Sequence, residues 1–281
     1  MPELPEVETV RRQLEPAVVG RRIAAARVLD ERWPMPLTPA AVQEQITGRR
    51  VQALTRRGKY LVWSLDGDLH LVQHLRMTGT ILVEPAADQR HVRVELELDS
   101  EGGPTRVAFV DPRRFGTGEL VAGSEALARL FDTRLGLEPL DEGFTNEHLA
   151  AVLRGRRTPI KALLLDQRRI AGVGNIYADE ALYAARVHPL RPAGRLTGAQ
   201  TRALRAGIVE VLEAGIDAHG ASIDDFRGVD GVQGSFQDRF RVHMRRGEPC
   251  ERCGTPITKI TVAGRGTYVC ARCQTRPRRR H

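Results

Sequence analysis

The spacing of hydrophobic residues divides the chain into a helical start, a strand-rich middle and a helical second half. Val7, Val10 and Leu14 recur at helical spacing after Pro5, so the sequence predicts an N-terminal helix. A second, shorter helix is expected over Pro39–Ile46. Both helices precede the segment in which the pattern changes.

From residue 51 to residue 120 the hydrophobic positions recur as they do in half-buried strands. Two of these strands, Tyr60–Leu65 and Leu69–Leu75, flank an Asp-Gly-Asp turn that is typical of a β-hairpin. A second pair is expected over His91–Leu98 and Arg106–Val110. Several short strands joined by turns favour an antiparallel β-sandwich, with a barrel as the alternative.

Helical spacing returns in the second half of the chain. The predicted helices cover Asn146–Leu153, Pro159–Leu165, Ile176–Ala185 and Thr197–Ala218. A glycine-bearing turn over residues 170–176 precedes the third of them. Such a turn exposes backbone N–H groups at a helix N-terminus and can bind phosphate, although a plain helix connection is the alternative. The pattern as a whole predicts an α+β multidomain fold.

Excess positive charge is concentrated at the C-terminal end. The 281 residues include 43 Lys and Arg against 35 Asp and Glu, a net charge of +8. The last 43 residues alone hold twelve Lys and Arg and two Asp and Glu, so the remainder is slightly acidic. A basic segment of this kind favours a polyanion partner, foremost nucleic acid, with a solubilising tail as the alternative.

The same segment contains two Cys-x2-Cys pairs. Their four thiols are those of Cys250, Cys253, Cys270 and Cys273. This spacing suits one structural Zn²⁺ with four protein ligands. Two short predicted strands between the pairs, Ile257–Val262 and Thr267–Val269, make the segment a β-hairpin zinc finger with Arg265 at its tip.

Two disulfides are the alternative for these cysteines. The first residues lack the basic and apolar regions of a secretory signal, and the chain has no apolar run long enough to span a membrane. We therefore expect a cytoplasmic protein without a membrane partner, and this compartment disfavours disulfides.

Six motifs resemble those of the formamidopyrimidine-DNA glycosylase family of bacterial repair enzymes, and they occur in the same order along the whole chain. They are Met1–Thr9, Arg57–Leu61, His74–Gly79, Asp111–Gly116, Gly172–Tyr177 and Gly247–Gly254. Glu3-Leu4-Pro5 favours this branch over the related endonuclease VIII branch. The resemblance implies an N-terminal catalytic β-sandwich domain, a linker, a helix–two-turn–helix domain with a lesion-capping loop, and a zinc finger. The expected boundaries are 1–135, 136–144, 145–237 with the loop at about 219–237, and 238–281.

The resemblance implies a bifunctional DNA glycosylase and abasic-site lyase that acts as a monomer on damaged double-stranded DNA in the bacterial nucleoid. It would remove 8-oxoguanine and formamidopyrimidines and break the strand by β,δ-elimination. An endonuclease VIII-like enzyme for oxidised pyrimidines and a non-catalytic DNA-binding relative are the alternatives.

Five residues match the family's catalytic positions. Once the initiator methionine is removed, Pro2 supplies a secondary amine that attacks the damaged nucleotide and forms a Schiff base. Glu3 serves as its proton donor, Lys59 assists β-elimination, and Arg265 grips phosphates and assists δ-elimination. Glu6 is a second carboxylate, for which a structural role at the helix start is the alternative.

Further residues match positions that contact DNA. Met77, Arg113 and Phe115 correspond to the side chains that fill the void left by an extruded base; core packing is the alternative for Met77 and Phe115. Phosphate or lesion-side contacts are implied for His74, His91, Arg156, Lys161 and Asn175. The segment before His91 departs from the family pattern. In the capping loop, Gly220-Ala221-Ser222 replaces a Gly-Gly-Thr or Gly-Gly-Ser motif, so we expect a stiffer loop.

Overall fold

The chain forms two compact units. A computed structural model describes residues 1–100, 103–222, 228–229 and 231–276. The first unit comprises Met1–Thr133 and Ala218–Ser235, and the second comprises Arg134–Asp217 and Phe236–His281. Part of the predicted capping loop, residues 223–227 and 230, and the end of the basic tail, residues 277–281, lie outside the described residues.

The first unit is built on two antiparallel four-stranded sheets. Their strands are β1 (Ile23–Val28), β2 (Val51–Arg57), β3 (Tyr60–Leu65), β4 (Leu69–His74), β5 (Thr80–Val83), β6 (Val92–Leu98), β7 (Thr105–Val110) and β8 (Thr117–Ala122). The strand order is β1-β6-β7-β5 in one sheet and β2-β3-β4-β8 in the other. The helices are α1 (Leu4–Val18), α2 (Pro39–Ile46) and α3 (Ser124–Arg134). Hydrophobic side chains of both sheets, α1 and α2 meet in one core, so the predicted β-sandwich is confirmed.

Local sequence explains the first part of this sandwich. Val7, Val10 and Leu14 of α1 are completely buried, as their helical spacing predicts. Between β3 and β4 the chain reverses through Gly67 and Asp68, both with positive φ. This tight reversal places Leu65 opposite Leu69 and sets the register of the whole hairpin.

The second unit combines helices with a two-stranded hairpin. Its elements are α4 (Asn146–Leu153), α5 (Ile160–Leu165), α6 (Asn175–Ala184), α7 (Gly198–Asp217), β9 (Thr258–Val262) and β10 (Arg265–Val269). Helix α7 begins with a reciprocal pair of hydrogen bonds: Gln200 N donates to Thr197 Oγ1 at 3.2 Å, and Thr197 N donates to Gln200 Oε1 at 3.1 Å. Over the described parts of both units, no helix has the length and apolar character needed to cross a membrane.

Contacts place two segments that lie near the predicted boundaries. Residues 136–144 contact the second unit closely: Leu137 forms a parallel bridge with Ile170, and the ring of Phe144 is completely buried. Residues 218–235 group with the first unit because Ala221 N donates to Glu6 and Val83 N donates to Val229 O. The segment predicted to cap the lesion thus contacts the first unit at both Ala221 and Val229.

Candidate active site and nucleic-acid interface

The N-terminal residues are fixed where α1 begins. Glu3 is the residue before the helix, and its backbone N–H donates to Glu6 Oε2 at 2.8 Å. The other oxygen of Glu6 accepts from Ala221 N, also at 2.8 Å. Both glutamates are almost completely buried, and Pro2 is buried beside them. Because two backbone N–H groups bind its carboxylate, Glu6 has the geometry of the structural role considered for it.

A buried ion pair connects α1 to the turn that contains Lys59. Arg56 Nε lies 3.1 Å from Glu8 Oε2, and Arg56 Nη1 donates to Gly58 O at 3.0 Å. Burial acts to raise the pKa of Glu8, but hydrogen bonds from arginines of α1 and the charge of Arg56 hold it below its usual value. Lys59, 5% exposed, thus lies in a turn that is anchored to α1. The sequence does not show the contact of Glu8 with Arg56, because the two residues are 48 positions apart.

His74 lies at the end of β4, buried and packed edge-on against Tyr60, with 4.7 Å between ring centroids. Its Nδ1 accepts from Arg76 N at 2.9 Å, so the neutral ring carries its proton on Nε2. Burial, with the positive charges of Arg76 and Lys59, lowers the pKa of His74 to about 3. At neutral pH this residue can therefore offer one hydrogen bond to a phosphate but no positive charge.

Two turns of the sandwich expose the side chains that match the family's void-filling positions. Met77 follows β4 and is partly buried, whereas Arg113 and Phe115 lie in the turn between β7 and β8. The Phe115 ring is 50% exposed, with the Arg113 guanidinium carbon 5.0 Å from its centroid. Core packing therefore does not describe Phe115. His91 lies nearby, and its backbone carbonyl accepts from Asp111 N at 3.0 Å.

The four cysteines come together at the base of the β9–β10 hairpin. Their sulfur atoms all lie within 4.8 Å of one another, and two pairs are 3.5 and 3.9 Å apart. Four sulfurs at about 2.3 Å from a zinc ion are separated by about 3.8 Å, so the group fits tetrahedral Zn²⁺. Hydrogen bonds from Thr255 lower the pKa of Cys253 to about 6, whereas burial raises the pKa of Cys270 and Cys273.

The other end of this hairpin lies at the N-terminus of α6. Ala263 and Gly264 form the turn with positive φ, and Arg265, which is exposed, begins β10. Asn175, the first residue of α6, donates through Nδ2 to Gly266 O at 3.1 Å. Its Oδ1 is buried and has no hydrogen-bond partner among the described residues. A helix N-terminus beside an exposed arginine is suited to binding a phosphate.

Lys161 supports this hairpin through contacts with β10. Its Nζ donates to Asp179 Oδ1 at 2.6 Å and to Thr267 Oγ1 at 2.8 Å, and it is completely buried. Asp179 Oδ2 lies 2.9 Å from His243 Nδ1 and accepts from Tyr268 N at 3.3 Å. This placement favours support of the hairpin over the phosphate or lesion-side contact implied for Lys161.

Arg156, by contrast, is exposed in the turn after α4. Sequence reasoning missed Asp179, although an aspartate in the apolar helix Asn175–Ala184 is a signal of a buried partner.

The sequence matches three domain families in succession. They are the formamidopyrimidine-DNA glycosylase N-terminal domain over residues 1–118, the H2TH domain of the same enzymes over residues 135–227, and the zinc finger found in FPG and IleRS over residues 247–276. Formamidopyrimidine-DNA glycosylase from Chloroflexus aurantiacus is 48% identical over 98% of both chains. That from Cereibacter sphaeroides is 48% identical over 98% of this chain and all of its own. The chain belongs to the formamidopyrimidine-DNA glycosylase family.

Solved structures of this family agree with the fold. A Lactococcus lactis FPG mutant in complex with Fapy-dG containing DNA superposes with a TM-score of 0.91 at 35% identity, covering 98% of this chain and 100% of its own. The Thermus thermophilus MutM (FPG) protein superposes with a TM-score of 0.87 at 42% identity, covering 99% and 100%. Another Lactococcus lactis complex contains abasic-site DNA, with a TM-score of 0.90 at 35% identity and the same coverage as the first.

The predicted family, α+β fold and enzyme class are therefore confirmed. This formamidopyrimidine-DNA glycosylase family member is a DNA glycosylase and abasic-site lyase of base-excision repair. Its partner is DNA, and its cysteine cluster is the site of one structural zinc.

Proposed function

We propose that the protein removes 8-oxoguanine and formamidopyrimidines from double-stranded DNA through a Schiff base with Pro2. The observation that supports this most strongly is the arrangement at the start of α1. Pro2 is buried next to Glu3, whose backbone is held by Glu6, and the turn that contains Lys59 is anchored to the same helix through Glu8. Groups held this way are oriented before substrate arrives.

The reaction begins once removal of Met1 makes Pro2 a free secondary amine. An α-amino group has an ordinary pKa of about 7.7–8.0, so a substantial fraction is neutral at working pH. The lone pair of Pro2 N attacks the anomeric carbon, and the electrons of the glycosidic bond leave with the base. The N–H proton of the attached amine passes to the departing base, and the freed lone pair of the nitrogen expels the ring oxygen. That oxygen takes a proton from Glu3, and an iminium remains.

Strand cleavage follows from this iminium, because the positive nitrogen acidifies the neighbouring C2′ proton. Loss of that proton expels the 3′ phosphate and leaves a conjugated iminium. Loss of the C4′ proton from this iminium then expels the 5′ phosphate. Lys59 assists the first elimination. Arg265 stabilises the leaving phosphate in the second, since a guanidinium binds phosphate oxygens in a fixed geometry.

The target base must leave the duplex before it can be attacked. We assign Met77 and Phe115 as apolar wedges and Arg113 as the partner of the orphaned base. The half-exposed Phe115 ring beside the Arg113 guanidinium supports this assignment.

A further set of residues is assigned to phosphates that flank the lesion. The proposed contacts are His74, His91, Arg156, Asn175 and Arg265, with Lys161 acting through the hairpin that it supports. We also propose that the enzyme acts as a monomer in the bacterial nucleoid.

Borohydride trapping on an 8-oxoguanine duplex tests the nucleophile. Wild type is expected to give a covalent complex, and Pro2→Gly much less of it. A chain with an uncleaved N-terminal extension, in which Pro2 N is an amide, should give none. Lys59→Ala is the matched control, because it changes a second amine near the site but leaves Pro2 intact. Equal trapping by the extended chain would refute the Pro2 mechanism, and no trapping by wild type would favour the non-catalytic alternative.

The lesion preference is tested separately. A Lactococcus lactis Fpg relative has been solved with an oxidised pyrimidine containing DNA, so the pyrimidine alternative is a specific one. Single-turnover rates on 8-oxoguanine and thymine glycol duplexes should favour 8-oxoguanine. Faster cleavage of thymine glycol would instead support the endonuclease VIII-like alternative.

A further inference from the structure

One buried carboxylate joins the two turns that expose Met77, Arg113 and Phe115. Asp111 is completely buried and directly follows β7. Its Oδ2 accepts from the backbone N–H groups of Phe115 and Gly116, each at 2.8 Å. Its Oδ1 accepts from Arg113 N at 3.2 Å, so the carboxylate holds three N–H groups of its own turn.

The same Oδ1 also reaches the other turn. It accepts from Thr78 Oγ1 at 2.5 Å, and Thr78 directly follows Met77. Gly79 and Gly116 lie against the ring of Phe109, where an added Cβ would overlap it. Both turns therefore rest on one aromatic ring and share one carboxylate.

A second carboxylate fixes the backbone between the two exposed side chains. Arg114 adopts a φ of 58°, which is strained for a residue with a side chain. Its guanidinium forms a two-pronged pair with Asp30, at 2.7 and 2.8 Å. The hydrogen bond from Arg114 holds the pKa of Asp30 below its usual value. Arg93 Nε donates to Asp111 O at 2.9 Å and completes the support.

We propose that Asp111 is a positioning residue for base extrusion, which sets Met77, Arg113 and Phe115 as one preformed wedge. This inference rests on the proposed void-filling role of those three side chains. A carboxylate that accepts four hydrogen bonds restricts the conformations of both turns before DNA binds. The wedge then enters the base stack without the entropic cost of ordering two turns.

Asp111→Asn is the variant that tests this proposal. An amide of the same shape has one acceptor oxygen, and its NH2 group faces donors that it cannot satisfy. Asp68→Asn is the matched control, since that carboxylate also accepts a backbone N–H, from Ser124 at 3.0 Å, but contacts neither turn. Thr78→Val is a milder second variant, because it keeps the carboxylate and removes only the bond between the turns.

Base extrusion is measured by stopped-flow fluorescence of 2-aminopurine placed beside 8-oxoguanine, together with the single-turnover excision rate. For Asp111→Asn we expect both rates to fall about 10- to 100-fold. Cleavage of a duplex with a preformed abasic site should fall much less, because no base has to be unstacked. Thr78→Val should show the same selective loss to a smaller degree, and Asp68→Asn none.

Two results would overturn the proposal. One is a folded Asp111→Asn protein, judged by its thermal midpoint and zinc content, with the extrusion rate of wild type. The other is an equal loss on 8-oxoguanine and abasic duplexes, which a general structural role would give. If Asp111→Asn does not fold, normal extrusion by Thr78→Val overturns it. Phe115→Ala distinguishes failure of the proposed wedge from failure of the role proposed for Asp111. Normal extrusion by Phe115→Ala contradicts the wedge itself. Slow extrusion by Phe115→Ala together with normal extrusion by Asp111→Asn contradicts only the role of Asp111.

Discussion

Replacement of Lys161 by methionine should destabilise the second unit strongly. Methionine has a similar volume but leaves Asp179 buried without its ammonium partner at 2.6 Å. His243 at 2.9 Å and Tyr268 N at 3.3 Å are the remaining contacts described for its carboxylate. Removal of one partner of a buried ion pair costs about 3–5 kcal/mol, so we expect a loss of unfolding free energy in that range.

A double variant distinguishes the ion pair from simple packing. Lys161→Met combined with Asp179→Asn removes both charges and keeps an acceptor for Tyr268 N. Because the uncompensated charge is gone, the double variant should be more stable than the sum of the single losses predicts, by about 1–3 kcal/mol. Lys259→Met is the control: this lysine is in the same hairpin, exposed, with Nζ 5.4 Å from the Tyr268 ring centroid, and its loss should cost at most about 1 kcal/mol.

Urea unfolding of the zinc-loaded proteins measures these free energies. The DNA affinity of Lys161→Met, measured at a urea concentration below its unfolding midpoint, then reports whether the hairpin tip is still in place. A loss below about 1 kcal/mol for Lys161→Met, or strictly additive losses in the double variant, would refute the reasoning that this pair supports the hairpin.

Three further predictions concern pH, metal and salt. The pKa of His74 is about 3 in the folded chain and 6.5 in the unfolded chain, so the unfolded state binds more protons below neutral pH. Through this residue the wild type should lose about 2 kcal/mol of unfolding free energy between pH 7.5 and pH 5. His74→Gln should lack this part of the pH dependence in urea unfolding, and an unchanged slope would contradict the burial argument. Zinc chelation should release one metal per chain and unfold the β9–β10 hairpin, measured by metal analysis and loss of DNA binding; unaltered binding by the metal-free chain would count against it. Arg265→Ala should reduce the slope of log K against log salt by about 1, as loss of one phosphate contact requires, and an unchanged slope would exclude such a contact.

The sequence predicts most of the elements whose pattern is local. The helix Pro39–Ile46 and the hairpin around Gly67 have the expected bounds to within a residue, because their turns and apolar spacing are encoded over a few positions. The zinc site is predictable for the same reason, since two short Cys-x2-Cys pairs determine it. Helix α3 was not predicted, because within it Phe131 alone is buried and its hydrophobic pattern is weak. Strand β5 has only four residues, too few to show alternation.

The site is less predictable than the fold. Motif residues such as Pro2 and Lys59 were recognised through family resemblance, since a proline or lysine alone has no distinctive local pattern. The groups that hold the site in place escaped notice because their partners are far along the chain. Glu8 binds Arg56, Asp111 binds Thr78, and Asp179 binds a lysine 18 residues and a histidine 64 residues away. Only tertiary packing brings such pairs together.

The location of the covalent bond in the trapped complex tests the central claim most directly. After borohydride reduction on an 8-oxoguanine duplex, the protein is digested and the DNA-modified peptide is sequenced by mass spectrometry. We predict that the sugar remnant is attached to the nitrogen of Pro2, in a peptide that begins with this residue. Attachment to the side chain of Lys59, or to any other lysine, would contradict the mechanism.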